Sequence, residues 1–289
     1  MFAGGSDDEF LVHGDQLAQC GDPRGELIHI QHALAARPKD RKLRAAQAKL
    51  FADHSELSPP AKPRKVNLLF RQKLMWRLGY IDAARIERMM PDSFAALIDH
   101  HSARFLRRLE VVVGSFAAPT IVLQLARTPR PALRELVITE TDDGHGVPPN
   151  MPTYDTEAGH AHRKGDALWR AVPELAVLEV RGFHLFHSLT LPALRELVAI
   201  GYPFCTTPWV APKLEKLTWR VGRKEHLETS VRTGDVDVLD TALASKLPAL
   251  STIDLSACEI ANQYTNTTRE AFDLTLRRAR CELSVVLPR

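Results

Sequence analysis

PALRELVIT at residues 131–139 and PALRELVAI at residues 192–200 open with the same seven residues. Reduced to its apolar positions, the phrase is a leucine, two residues, a second leucine, one residue and a third apolar side chain. Leu133, Leu136 and Ile138 fill these places in one copy, and Leu194, Leu197 and Ala199 in the other. The spacing returns at Leu106, Leu109, Val111, at Leu175, Leu178, Val180, at Leu214, Leu217, Trp219, and at Leu250, Ile253, Leu255. A degenerate last strand around Leu283 and Val285 closes the series. From the second leucine onward apolar and polar residues alternate, which is the pattern of a half-buried strand. No single copy can bury its leucines alone, so the copies must stack. Five of the six copies carry a proline two residues before the first leucine: Pro131, Pro173, Pro192, Pro212 and Pro248. There it ends the preceding segment and withholds the donor that a regular ladder needs.

The intervals between first leucines are 27, 42, 19, 20 and 36 residues. The two shortest leave room only for extended or single-turn returns. The interval of 27 fits a helix over 120–127, and that of 36 a helix over Val236–Leu247, where Val236, Leu239, Leu243 and Leu247 share one face. The interval of 42 contains a polar insertion over 142–164 with Gly144, Gly146, Pro148, Pro149 and Pro152. An ordinary α/β domain with parallel strands is the competing architecture, and it demands longer helices throughout.

The set of copies resembles the leucine-rich-repeat family, whose motif is L-x-x-L-x-L-x-x-N/C. The last copy matches through Cys258, whereas Gly114, Thr141, Phe183, Tyr202 and Gly222 hold the final position in the others. The resemblance covers about residues 104–289 and implies an irregular α/β solenoid whose parallel strands line a concave face.

Residues 1–103 lack the repeat and read as helical, which predicts a small all-α N-terminal domain ahead of the repeat domain. Gly21 is placed to end one helix, Asp22 to cap the next, and Pro23 to open it. A second amphipathic stretch runs through Leu43, Ala46, Leu50 and Phe51. The string GDPRGELIHIQ, residues 21–31, resembles a short helical domain that accompanies leucine-rich repeats in myxobacteria and planctomycetes. Gly21, Asp22, Pro23, Arg24, Gly25, Glu26 and Gln31 carry the likeness, while DDEFLVHGDQLAQC upstream departs from that family's aromatic-rich stretch. The resemblance implies no activity, but it supports the repeats that follow.

A chain of 289 residues with 45% hydrophobic and 25% charged residues has the composition of a folded protein with a sizeable core. A net charge of +3 argues for no nucleic-acid partner by itself. No apolar run reaches the roughly 18 residues that a bilayer requires, and the acidic start MFAGGSDDEF does not read as a secretory signal. Cys20, Cys205, Cys258 and Cys281 show no tight spacing, which suggests free thiols and a cytoplasmic setting. Phosphate-loop, nucleophile-elbow, dinucleotide and H-E-x-x-H motifs are all missing, so neither catalysis nor a cofactor is expected. The insertion also holds His145, His160 and His162. His160 and His162 would face one way in a strand and invite a metal reading, but no obvious third close ligand joins them and the segment reads as a solvated loop. The basic segment 62–77, with Phe70 and Trp76 among its lysines and arginines, reads as an amphipathic helix and offers nucleic-acid binding as an alternative function.

Strand alternation places one outward column at Glu110, Val137, Glu179, Val198, Thr218 and Asp254, and a second at Val112, Thr139, Arg181, Ile200, Arg220 and Ser256. Arginine beside exposed apolar groups is typical of protein interfaces. Arg181, Val198, Ile200, Arg220 and Trp209 are therefore expected to form the centre of a face that binds a protein partner.

Overall fold

The computed structural model describes residues 6–59, 71–88, 90–114, 117–141, 167–186, 188–204, 209–220, 247–254 and 284–286. The chain divides into two compact units, Met1–Leu109 with Arg130–Leu133, and Glu110–Pro129 with Arg134–Arg289.

The first unit opens with α1 (Asp7–Gln19), α2 (Pro23–Ala36) and α3 (Arg41–Asp53). Ser6 and Glu9 form a reciprocal capping box at the start of α1. Gly21 takes φ +74° after α1, and the Asp22 side chain accepts the Arg24 backbone N–H at 2.9 Å to cap α2. Gly25 is needed for contact between helices. A Cβ there would stand 2.5 Å from both the Ala18 nitrogen and the Gly14 carbonyl oxygen. The apolar sides of the helices bury two clusters, Phe10 and Ile28 with Leu78 and Tyr80, and Leu27 and Ile30 with Leu50 and Leu57.

The unit is not all-α. Arg71–Arg77 forms β1, which pairs antiparallel with β2 (Tyr80–Glu87), and α4 (Pro91–Ile98) follows. The expected basic helix over 62–77 is thus overturned for its described part. Leu78 and Gly79 have φ +47° and +79°, the left-handed pair that a two-residue hairpin turn requires. Leu78 accepts this unfavourable backbone because its side chain is buried with Phe10, Ile28 and Tyr80. Gln31 Oε1 receives the Gly79 N–H at 2.8 Å.

The second unit holds most of β3 (Arg108–Gly114), then α5 (Ala118–Ala126), β4 (Glu135–Thr141), α6 (Ala167–Ala171), β5 (Val177–Phe186), β6 (Leu189–Thr190), β7 (Glu196–Phe204), β8 (Trp209–Val210), β9 (Lys216–Arg220), β10 (Thr252–Asp254) and β11 (Ser284–Val286). Its main sheet runs in the order β3-β4-β5-β7-β9-β10-β11 and does not close on itself. Each pair from β4 through β11 is parallel. The fold is mixed α/β with a mostly parallel sheet.

The returns differ as the intervals demand. Helix α5 lies in the interval of 27 residues, within two residues of its expected bounds. The intervals of 19 and 20 hold the two-residue strands β6 and β8, which pair parallel with each other as a second, small sheet. The expected helix over Val236–Leu247 falls outside the described residues except for its last position, and the insertion over 142–164 lies wholly outside.

One hydrogen-bond pattern recurs along the strands. Leu133, Leu175, Leu194, Leu214 and Leu250 each donate their backbone N–H to the carbonyl three residues earlier, at 3.0–3.2 Å. Each turn has the repeat proline at its second position, where a fixed φ is already correct. The residue after the first leucine then uses its carbonyl twice. Arg134 O accepts Ala176 and Val177, Ala176 O accepts Arg195 and Glu196, Arg195 O accepts Glu215 and Lys216, and Glu215 O accepts Ser251 and Thr252, all within 2.8–3.1 Å. Behind these turns, Leu136, Leu178, Leu197, Leu217 and Ile253 stand in register and are fully buried. Ile138, Val180, Ala199 and Trp219 form the next buried row. Each buried aliphatic side chain contributes about 1.5–3 kcal/mol of transfer free energy.

Candidate protein-binding face

Because side chains alternate along a strand, the residues between those buried rows belong to the opposite side of the sheet. Val137, Glu179, Val198, Thr218 and Asp254 are aligned across β4, β5, β7, β9 and β10. Beside them Thr139, Arg181, Ile200 and Arg220 align across β4, β5, β7 and β9. Four steps between neighbouring strands make the longer column roughly 19 Å. Both columns agree with the sequence expectation over these strands.

Arg181 is exposed, and Val198 and Ile200 are half-buried on adjacent β7 positions of the same side. Val137, Thr139 and Glu179 are half-buried around them. Thr218, the fourth of the five residues in the longer column, is 3% exposed, so the column is closed at that one position. Arg220 keeps its predicted register beside Ile200, and only its strand position is described. A third row, Glu135, Val177, Glu196, Lys216 and Thr252, borders the columns at the strand entries. There Lys216 Nζ meets Glu196 Oε1 at 2.8 Å, and Arg195 meets Glu215 at 3.2 Å near the preceding turns. Exposed pairs of this kind add little stability, but they fix charge at one border of the apolar strip.

Trp209 does not join this face. It begins β8, is 2% exposed, and stacks on Trp219 with ring centroids 6.0 Å apart and planes inclined by 9°. The return between β7 and β9 includes a strand of the second sheet, and that places Trp209 in the core instead of on the expected face. Leu189, its partner in β6, is also fully buried. Alternation within that two-residue strand, Trp209 buried and Val210 exposed, is the signal, but it is too short to read without its partner.

Among the described residues no three histidine, cysteine, aspartate or glutamate side chains are placed to hold a metal ion, and His145, His160 and His162 lie outside those residues. No helix among them is long and apolar enough to cross a membrane. Comparison with known proteins finds no matching family model and no matching curated sequence.

Proposed function

We propose that this chain is a non-catalytic protein-binding module of the leucine-rich-repeat type, acting in the cytoplasm as an adaptor, scaffold or inhibitor subunit. On this reading the parallel strands are successive turns of a solenoid, and the side bearing Arg181, Val198, Ile200 and Arg220 is its concave recognition surface. The carrying observation is the register that extends Val198 and Ile200 into continuous columns with charged residues at Glu179, Arg181 and Asp254. A half-exposed apolar strip bordered by fixed charge suits the desolvated centre and polar rim of a protein interface. The test is affinity capture from the native host with wild type and with the double variant Arg181→Glu, Arg220→Glu. The variant should lose the specifically captured partner while its melting temperature stays near wild type. Undiminished capture with both charges reversed would falsify the assignment of this face.

The nucleic-acid alternative now rests on β1 and β2, where exposed Lys73 faces Arg85 in register. A salt titration separates the two, because phosphate contacts weaken steeply with salt and an apolar interface does not.

A further inference from the structure

Two single-turn helices of the first unit, Ser55–Leu57 and His101–Ala103, are tied to each other through the interior. Ser102 is fully buried, and its Oγ–H donates to the Leu57 carbonyl at 2.7 Å. Leu57 is 1% exposed and joins Leu27 and Ile30 of α2 and Leu50 of α3 in one apolar cluster. The bond from Ser102 thus anchors the segment that delivers Leu57 to the core.

What orients Ser102 is a histidine. His100 stands at the N-cap of the second turn, where serine, threonine, aspartate or asparagine is usual. Its Nδ1 accepts the Ser102 backbone N–H at 3.2 Å, and its carbonyl accepts the Ala103 N–H at 2.8 Å. A ring nitrogen that accepts a hydrogen bond carries no proton, so the neutral ring has its proton on Nε2. A second proton must then enter at Nδ1, where it displaces the Ser102 N–H. Unlike the usual caps, this one is removed by acid within reach of neutrality.

The surroundings oppose the charged ring. The His101 ring lies 4.1 Å away, centroid to centroid, and becomes a like charge once protonated. Arg24 of α2, which holds Asp22, adds a second cation. From the first turn the Glu56 backbone favours the protonated ring, while the Glu56 carboxylate is engaged with His54 at 3.0 Å. Asp99, the preceding residue, is paired with Arg130 at 2.9 Å. Burial first, then His101 and Arg24, outweigh Glu56 and hold the imidazole below its ordinary 6.5. A folded value below the unfolded one means that acid favours an opened form with a free ring.

We propose that His100 is a proton-operated latch: neutral, it caps the second turn and seats Ser102 on Leu57; protonated, it releases both turns and lifts Leu57 off Leu27, Ile30 and Leu50. The device belongs to the first unit and is independent of the sheet-face reading. Amide exchange of the full chain at about pH 7.5 and about pH 5.5, corrected for the intrinsic rate, tests it. Peptides covering 55–58 and 101–106 should open up to about tenfold more readily at the lower pH. That is the ratio for an ordinary imidazole free in the opened form and neutral in the closed one. His100→Asn keeps a side chain that accepts the Ser102 N–H but takes up no proton, so the rise should vanish. His13→Asn, on α1, should keep the wild-type rise, which separates the latch from acid sensitivity of the unit as a whole. No rise in wild type, an equal rise in His100→Asn, or a rise lost in His13→Asn overturns the latch. If His100→Asn does not fold, the wild type decides. Its Ser102 amide resonance must shift over the same pH interval as the His100 C2–H resonance, and an amide that stays still while the ring titrates overturns the proposal.

Discussion

Gly21, Asp22, Pro23, Arg24, Gly25 and Gln31 show how a short motif can be accounted for residue by residue without invoking catalysis. Gly21 supplies a left-handed backbone, Asp22 caps α2, Arg24 holds Asp22, Gly25 admits α1, and Gln31 caps the hairpin turn. The capping roles were legible in the sequence because they depend on neighbours along the chain. Those of Gly25 and Gln31 were not, since they depend on partners that only the fold brings near. The same unit should respond to acid. His13, His100 and His101 are each held below the ordinary imidazole value of 6.5, first by burial and then by neighbouring cationic side chains. Below about pH 6.5 the unfolded chain therefore binds protons that the folded chain refuses, and stability must fall with pH until the folded values are passed. Asp22 is held below its ordinary 3.8 by Arg24, so its contribution is lost only in stronger acid, outside this window. Melting followed by circular dichroism in a phosphate-free buffer should give a lower midpoint at about pH 5.5 than at about pH 7.5. His13→Asn with His101→Asn should reduce the difference. An unchanged or higher midpoint in acid would rule out these imidazoles as a source of acid sensitivity.

Among the elements, the parallel strands were readable because each repeats a period-two pattern behind a proline turn, and every copy corroborates the others. The β1–β2 hairpin had no such support. In RQKLMWR the exposed Met75 breaks the alternation that Leu74 and Trp76 would otherwise show, and Leu78 occupies a turn position that normally announces itself with asparagine or glycine. An amphipathic helix over 62–77 is equally compatible with local spacing. Trp76 instead packs on Phe51, with ring centroids 4.9 Å apart. The small β6–β8 sheet was hidden for a related reason, since two residues carry no detectable period. Its structural weight is measurable. Trp209→Ala should cost about 3–5 kcal/mol, the usual range for removing a buried aromatic side chain. Arg181→Glu, on an exposed strand position, should change stability by about 0.5 kcal/mol or less. Urea unfolding of the two variants separates core from face, and a Trp209→Ala midpoint equal to that of wild type would remove β8 from the core.

Across the molecule, the first unit joins its parts through specific, non-repeating contacts, whereas the second extends one set of contacts from strand to strand. In the second unit a single carbonyl serves two N–H groups at four successive junctions, and Leu136, Leu178, Leu197, Leu217 and Ile253 continue one buried row. On the repeat reading proposed above, stability is the sum of weak individual strands and strong junctions between neighbours. A defect at one strand should therefore be felt on both sides of it. Leu197 in β7 is fully buried and lies in register between Leu178 of β5 and Leu217 of β9. Leu197→Ala should destabilise the unit by about 2–5 kcal/mol. It should also accelerate amide hydrogen exchange in β5 and β9 as well as in β7, because both junctions lose their shared filler. Exchange mass spectrometry resolves these strands in separate peptides. Acceleration confined to β7, with β5 and β9 protected as in wild type, would show that the strands are held independently and that the repeated junctions do not transmit stability.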